Sequence, residues 1–308
     1  MERLDGSAPI PERFRGGIVA LGNFDGFHLG HQAVVGRAVA HARAEGRPVL
    51  VATFDPHPVR FFHPEAAAFR LTTLDQRERL FAGAGADAML VFHFDAALAG
   101  LNAETFVRER LIDFVGASGV VTGQDFTFGH HKSGDIAVLS ALGEIHDFTV
   151  ETVAPVELDG RPVSSSRIRD ALQAGDPGAA TRLLTRPFAI EGPVQHGAKL
   201  GRTLGYPTAN LDLGPYLRPH YGIYAVTGRL ADGQILQGAA NLGVRPSFDP
   251  PKELLEPFFF DFQGNLYGQM IEVALIEFLR PEAKFDSLDA LQFQMAADCE
   301  RARAILSA

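Results

Sequence analysis

At 308 residues, 46% apolar and 21% charged, the chain has material for two domains of ordinary size and the composition of a globular protein, not of a disordered one. A single cysteine, Cys299, excludes an intramolecular disulfide framework and any multi-cysteine metal site, so a reducing, cytoplasmic setting is expected. The net charge of −9 argues against broad binding to nucleic acid or anionic membrane while leaving room for a small anionic ligand, no apolar run approaches the roughly 18 to 20 residues that span a bilayer, and residues 1–5 lack a signal-peptide pattern.

Residues 17–21 read as a buried strand and residues 32–44 as a helix, with Gly22-Asn23-Phe24-Asp25-Gly26-Phe27-His28-Leu29-Gly30-His31 between them. A strand, a glycine turn and a helix start present unpaired N–H groups and the positive end of a helix dipole, which suits a polyphosphate. His28 and His31, three apart, can both donate to phosphate oxygens; a turn carrying two surface histidines is the other reading. Residues 47–54 form a second predicted strand, ending in Asp55-Pro56-His57-Pro58, at the strand-end position where open α/β sheets bind ligands. A helix over 72–82 capped by Thr72 or Thr73, a strand at 88–92, a helix over 102–114 and strands at 119–123 and 148–153 follow. This alternation predicts a mostly parallel, doubly wound sheet.

The loop Gly123-Gln124-Asp125-Phe126-Thr127-Phe128-Gly129-His130-His131-Lys132 gathers aromatics, an Asp and cations, and reads either as a ligand loop or as exposed surface. Ser164-Ser165-Ser166-Arg167-Ile168-Arg169 leads into a helix over 170–174. Three hydroxyls and two guanidinium groups at a helix start make a second phosphate site or a capped helix with solvated arginines.

From residue 187 the pattern changes to strand-like segments at 188–194, 222–228, 235–242, 257–262 and 270–278, suggesting an antiparallel barrel or sandwich. The expected boundary lies near 185, giving domains 1–185 and 186–308. A helix over 287–306 follows, with Leu288, Leu291, Phe293, Met295, Cys299, Ala302 and Leu306 as its apolar face. Between the first two of these strands lies a glycine-rich stretch, 197–210, that ends in Thr208 and Asn210, oxygen donors that suit Mg²⁺. A glycine-rich β loop is the alternative. Glu256, at the head of 257–262, is either a general base or an edge-strand carboxylate.

Together these segments resemble the bacterial bifunctional riboflavin kinase/FMN adenylyltransferase (FAD synthetase) family over nearly the whole chain. His28-Leu29-Gly30-His31 and Ser164 to Arg169 match the motifs of its nucleotidyltransferase half, with Ser166 where Thr is usual. Gly205-Tyr206-Pro207-Thr208-Ala209-Asn210, Asn241-Leu242-Gly243-Val244-Arg245-Pro246-Ser247-Phe248, Asp261-Phe262 and Leu279-Arg280-Pro281-Glu282-Ala283-Lys284-Phe285 match its kinase half.

The resemblance implies a Rossmann-like nucleotidyltransferase domain, then a six-stranded antiparallel riboflavin kinase barrel with a terminal helix. Its implied chemistry is riboflavin plus ATP to FMN, then FMN plus ATP to FAD and pyrophosphate. The implied catalytic residues are His28, His31, Arg167, Arg169 and Glu256. ATP and its phosphates fall to Gly22, Asn23, Phe24, Asp25, Gly26, Gly30, Ser164, Ser165, Ser166, Gly197, Lys199, Gly201, Gly205 and Pro207. Flavin falls to Asp55, Asp125, Phe126, Phe128, Arg280, Glu282 and Phe285, and Mg²⁺ to Thr208 and Asn210. The implied partners are small molecules, with neither nucleic acid nor membrane; self-association is left open. One departure is Glu256-Pro257-Phe258 where the family commonly reads Glu-x-His. Pro257 removes a backbone donor beside Glu256, so the alternative is an adenylyltransferase whose kinase-like domain binds flavin without turning it over.

Overall fold

Strands that are apolar at every position need cover on both faces, as the central strands of a parallel sheet have. β1 (Glu2–Asp5), β2 (Ile18–Leu21), β3 (Val49–Asp55), β4 (Ala88–His93), β5 (Gly119–Gly123) and β6 (Thr149–Val153) form one sheet in the order β1-β4-β3-β2-β5-β6. Every neighbouring pair is parallel. β2 is buried throughout, whereas β1 is polar and mostly accessible, as an edge strand can be.

Helices α1 (Leu29–Glu45), α2 (Pro58–Phe62), α3 (Leu74–Gly83), α4 (Ala96–Ala99), α5 (Ala103–Phe106) and α6 (Ile136–His146) cross between these strands, with a π-helical segment at Val107–Val115. One apolar cluster lies on each side of the sheet: Val34, Val35, Ala38 and Phe81 belong to one, Phe54, Phe92, Phe106 and Leu139 to the other. The doubly wound expectation therefore holds. Two short strands, β7 (Glu157–Leu158) and β8 (Arg161–Pro162), make a separate ribbon. α3 begins with a full capping box, in which Thr73 accepts from the Gln76 N–H and the Gln76 side chain accepts from the Thr73 N–H.

After α7 (Ser165–Gln173) and α8 (Pro177–Leu184), the chain forms β9 (Phe188–Pro193), β10 (Leu211–Asp212), β11 (Gly222–Leu230), β12 (Ile235–Arg245), β13 (Lys252–Phe259) and β14 (Met270–Arg280). Their order is β10-β13-β12-β11-β14-β9, all neighbours antiparallel. A bridge between Gln195 and Asn210, with the Gln195 N–H donating to the Asn210 carbonyl at 2.8 Å, joins the two ends of that order and brings the sheet round into a barrel. α9 (Leu288–Leu306), N-capped by Ser287, lies on β11 and β12.

The described residues are 1–196, 206–245 and 252–307. They divide into two compact units, Met1–Ala67 with Thr73–Ser164, and Ala68–Thr72 with Ser165–Ala308.

Three expectations are corrected. The helix after Val163 starts at Ser165, so both arginines lie inside it, not ahead of it. Glu256 stands mid-strand in β13, because the strand begins at Lys252 and not at 257. Leu288 and Phe293 point away from the barrel, at 64% and 79% exposure; Ala302 is buried, while Leu291, Met295 and Cys299, spaced four apart, line a cavity.

Candidate active sites

In the first unit, β2 ends at Leu21 and the chain turns sharply. The Phe27 N–H donates to the Phe24 carbonyl at 3.1 Å, and Phe24, Gly26 and Phe27 have φ of 51°, 85° and 45°. Two non-glycine residues at positive φ are costly and persist only where the surroundings hold them. Here both rings are buried and meet Phe81 edge-on, with centroids 5.7 and 5.0 Å away. The Phe24 side chain is therefore a core anchor.

His28 caps α1. Its Nδ1 accepts from the His31 N–H at 3.4 Å, which assigns the neutral ring's proton to Nε2. The two imidazoles stack with centroids 3.6 Å apart and an 18° interplanar angle. A Cβ at Gly30 would sit 3.2 Å from the His28 ring, so glycine at that position lets the ring lie against the first helical turn. The structure brings the two predicted histidines together in this stack. Asp25 is buried, and Asn23 is half-buried.

Asn23 also lines a cavity of about 640 Å³ whose wall is aromatic: Phe54, Phe62, Phe94, Phe106, Phe126 and Phe128. The Phe126 and Phe128 rings stack at 5.7 Å, and Phe106 lies 5.7 Å from Phe128. His130, His131 and the cationic Lys132 complete its lining. Of the residues expected here, Phe126 and Phe128 line the cavity while Asp55 and the exposed Asp125 do not. Sequence reasoning missed Phe54 and Phe94, although both stand at the carboxyl ends of parallel strands, the position that favours ligands.

Ser164 closes the first unit; Ser165, Ser166, Arg167 and Arg169 lie on α7 in the second. There the Arg169 Nε donates to the Phe69 carbonyl at 2.8 Å and its guanidinium stands 5.4 Å over the Phe69 ring.

The barrel unit has its own cavity, about 510 Å³, where Thr208, Asn210 and Glu256 meet Arg280, Glu282 and Phe285, with Leu291, Met295, Asp298 and Cys299 of α9 as one wall. Register pairs Asn241 with Glu256 across β12 and β13. Arg245 bridges two carboxylates: Nε donates to Glu256 Oε2, and Nη1 to Glu282 Oε1 at 3.1 Å. Asn241 Nδ2 also reaches Glu282 Oε1, at 3.3 Å. Arg280 is held bidentately by buried Asp298, at 3.0 and 2.7 Å, and Gln294 donates to the same carboxylate. Burial, and after it the Asp298 carboxylate, pushes the Cys299 thiol up to about 11. Thr208 and Pro207 also line a second groove of about 350 Å³ with Asn265 and Tyr267. Gly197, Lys199, Gly201 and Gly205 lie outside the described residues.

Pro257 does not interrupt the strand. Its carbonyl accepts from the Ala209 N–H at 2.9 Å, and in an antiparallel strand a residue's C=O and N–H project to the same side. The donor that proline lacks is thus missing on the side of residue 209, and the β12–β13 register runs unbroken through Glu256 and Pro257.

Residues 10–167 match the FAD synthetase family and residues 184–306 the riboflavin kinase family. Over 99% of its length the chain is 42% identical to the bifunctional riboflavin kinase/FMN adenylyltransferase of Pseudomonas fluorescens, covering 98% of that protein. The chain belongs to this family. Another bifunctional riboflavin kinase/FMN adenylyltransferase, from Escherichia coli (strain K12), is 36% identical over 92% of the chain and 90% of its own length. A crystal structure described as a macrolide-efflux protein from Streptococcus pneumoniae superposes with a TM-score of 0.87 at 32% identity, covering 98% of this chain and 99% of that one. Among the described residues no helix is long and apolar enough to cross a membrane. The parallel-sheet unit is the FAD synthetase half of the bifunctional family, and the barrel is its riboflavin kinase half. A chain with only the adenylyltransferase active is not favoured.

Proposed function

We propose that the barrel phosphorylates riboflavin with ATP to give FMN and ADP, and that the parallel-sheet unit joins FMN to ATP to give FAD and pyrophosphate. The observation that carries the reading is the cavity that Asn23 shares with Phe54, Phe126 and Phe128: an isoalloxazine ring suits its aromatic wall, and a phosphate tail suits the backbone of the Asn23 turn.

In the adenylyl transfer the FMN phosphate oxygen attacks the α-phosphorus of ATP and pyrophosphate leaves, so the protein's part is positioning and charge stabilisation and no covalent nucleophile is needed. Gly22 to Gly26 offer backbone N–H groups, and His28 Nε2 with His31 donates to ATP phosphates. The Ser164 to Arg169 motif supports a role for its hydroxyls and arginines at the pyrophosphate. Phe126 and Phe128, with Phe54 and Phe106, stack the flavin.

In the barrel, Glu256 accepts the proton of the riboflavin 5′-hydroxyl, and Arg280, Glu282 and Phe285 bound the flavin. The Thr208 hydroxyl and Asn210 amide oxygen, converging on the Glu256 cavity, are hard neutral donors of the kind Mg²⁺ takes beside substrate phosphates, and they would hold it. Bound there, the ion would neutralise charge on the ATP phosphates. Thr208, shared with the second groove, supports ATP lying in that groove. A functional boundary near residue 185 and a cytoplasmic location complete the reading.

The test is to incubate the purified chain with riboflavin, ATP and Mg²⁺ and resolve the flavins chromatographically. FMN followed by FAD is expected; absence of both overturns the proposal, and FAD from FMN without FMN from riboflavin revives the single-activity alternative.

A further inference from the structure

Arg77 is among the largest fully buried side chains, at 1% exposure, although its charged helix neighbours Asp75, Glu78 and Arg79 read as a solvated face. Burying a guanidinium is costly unless it is well hydrogen-bonded, so its contacts repay attention. Its Nη1 donates to the Asn23 carbonyl at 3.1 Å and to Thr53 Oγ1 at 2.9 Å. The Thr53 hydroxyl, itself fully buried, donates to the same Asn23 carbonyl at 2.9 Å. Three groups from β3, α3 and the turn after β2 thus close a triangle on one backbone oxygen.

A trans peptide sets its C=O and N–H in opposite directions. With the Asn23 carbonyl drawn inward by two donors, the Phe24 N–H is turned outward, away from Arg77 and Thr53. Phe24 itself holds a left-handed backbone, at φ 51°. Rotating this one peptide plane would misdirect the N–H and with it the run of glycines leading to His28.

We propose that Arg77 and Thr53 are positioning residues for adenylyl transfer: by clamping the Asn23 carbonyl they aim the backbone of residues 23–26 at a phosphate of the substrates. The clamp rests on the reading of this unit as an FMN adenylyltransferase. Phosphate is the shared chemistry, and it comes from ATP or from FMN.

Thr53→Val keeps the side-chain shape and removes the hydroxyl; Thr53→Ser restores it. KM for ATP and for FMN are measured separately in FAD formation, with thermal midpoints alongside. The expected result is that Thr53→Val raises KM for one or both by on the order of five- to tenfold, about the value of one buried hydrogen bond, and that Thr53→Ser returns it to within about threefold of the parent. Which KM moves identifies whose phosphate the turn holds. A purely structural role would lower the amount of active enzyme and the thermal midpoint with both KM values unchanged, and that outcome overturns the clamp. Arg77→Lys, which keeps the charge but loses the fork, is a second variant with the same expected KM signature. If the parent chain makes no FAD from FMN, the adenylyltransferase reading itself fails, an outcome distinct from unchanged KM values in an active enzyme.

Discussion

The His28 imidazole caps α1 through Nδ1, a contribution separable from the role proposed for it in adenylyl transfer. Asparagine caps helices well through a side-chain oxygen. His28→Ala is expected to lose about 1 kcal/mol of stability with the cap and nearly all FAD formation. His28→Asn should recover most of the stability, seen in thermal melts, and little of the activity.

Cys299 shows how an environment silences a reactive group. The thiolate is the nucleophile, and a thiol raised from its ordinary range to about 11 by burial and then by Asp298 carries little thiolate near neutrality. Alkylation by iodoacetamide should be at least tenfold slower than for free cysteine at pH 8 and should keep accelerating as pH rises past 9. By linkage, the contribution of this thiol to stability is present below its unfolded pKa and is lost as pH climbs toward about 11.

At this scale the glycine and histidine motif was legible because close backbone approach and helix capping leave few residue choices. Arg77 was not, since nothing in Asp75-Gln76-Arg77-Glu78-Arg79 says that a charged residue among these five polar ones turns inward.

Among elements, α9 meets the end of β14 through Asp298 on Arg280 and through Arg301, whose Nη1 donates to the Leu279 carbonyl at 2.9 Å. Asp298 holds Arg280 through both carboxylate oxygens, and Arg280 stands 5.7 Å over the Phe285 ring, so the α9 wall of the barrel cavity shares an anchor with two of the residues proposed to bound the flavin. Asp298→Ala leaves the Arg280 guanidinium without this partner and should raise KM for riboflavin several-fold in FMN formation, leaving KM for FMN in adenylyl transfer unchanged.

The long strands were readable from runs of β-branched and aromatic residues, and α9 from its four-residue spacing. β10 was not, being two residues held by tertiary pairing. α6 was missed because Ile136-Ala137-Val138-Leu139-Ser140-Ala141-Leu142 lacks a strong helical period. Glu256 was placed at a strand start because Lys252 and Glu253 look like loop residues, yet in the barrel β13 pairs with β12 from Lys252 onward.

At the scale of the whole molecule, each unit holds its own cavity, so the two activities should separate by mutation. With riboflavin and ATP, His28→Ala is expected to accumulate FMN and stop there. Glu256→Gln should leave riboflavin untouched and still convert added FMN to FAD. Chromatography of the products checks both, and parallel loss of the two steps in either variant would contradict the division of labour. The change from alternating helices and strands to strands alone was visible near residue 187. The packing boundary at Ser164 was not, because α7 and α8 carry helical sequence like that of the first unit while packing with the second.

β1 pairs along the β4 edge, Glu2 opposite Ala88 through Asp5 opposite Val91, and Arg3 ties it to Glu78 on α3 at 2.7 Å. During synthesis its partner appears only after β2, β3 and α3 have been made, so β1 is the strand that must wait. Until it docks, the almost wholly apolar Ala88–His93 presents an open ladder, the kind of edge that recruits a neighbouring chain. Removing residues 1–5 should make that interval permanent, turning a well-behaved protein into one whose light scattering grows with concentration; the charges of Glu2, Arg3 and Asp5 serve as a hem that keeps the sheet from fraying into its neighbours.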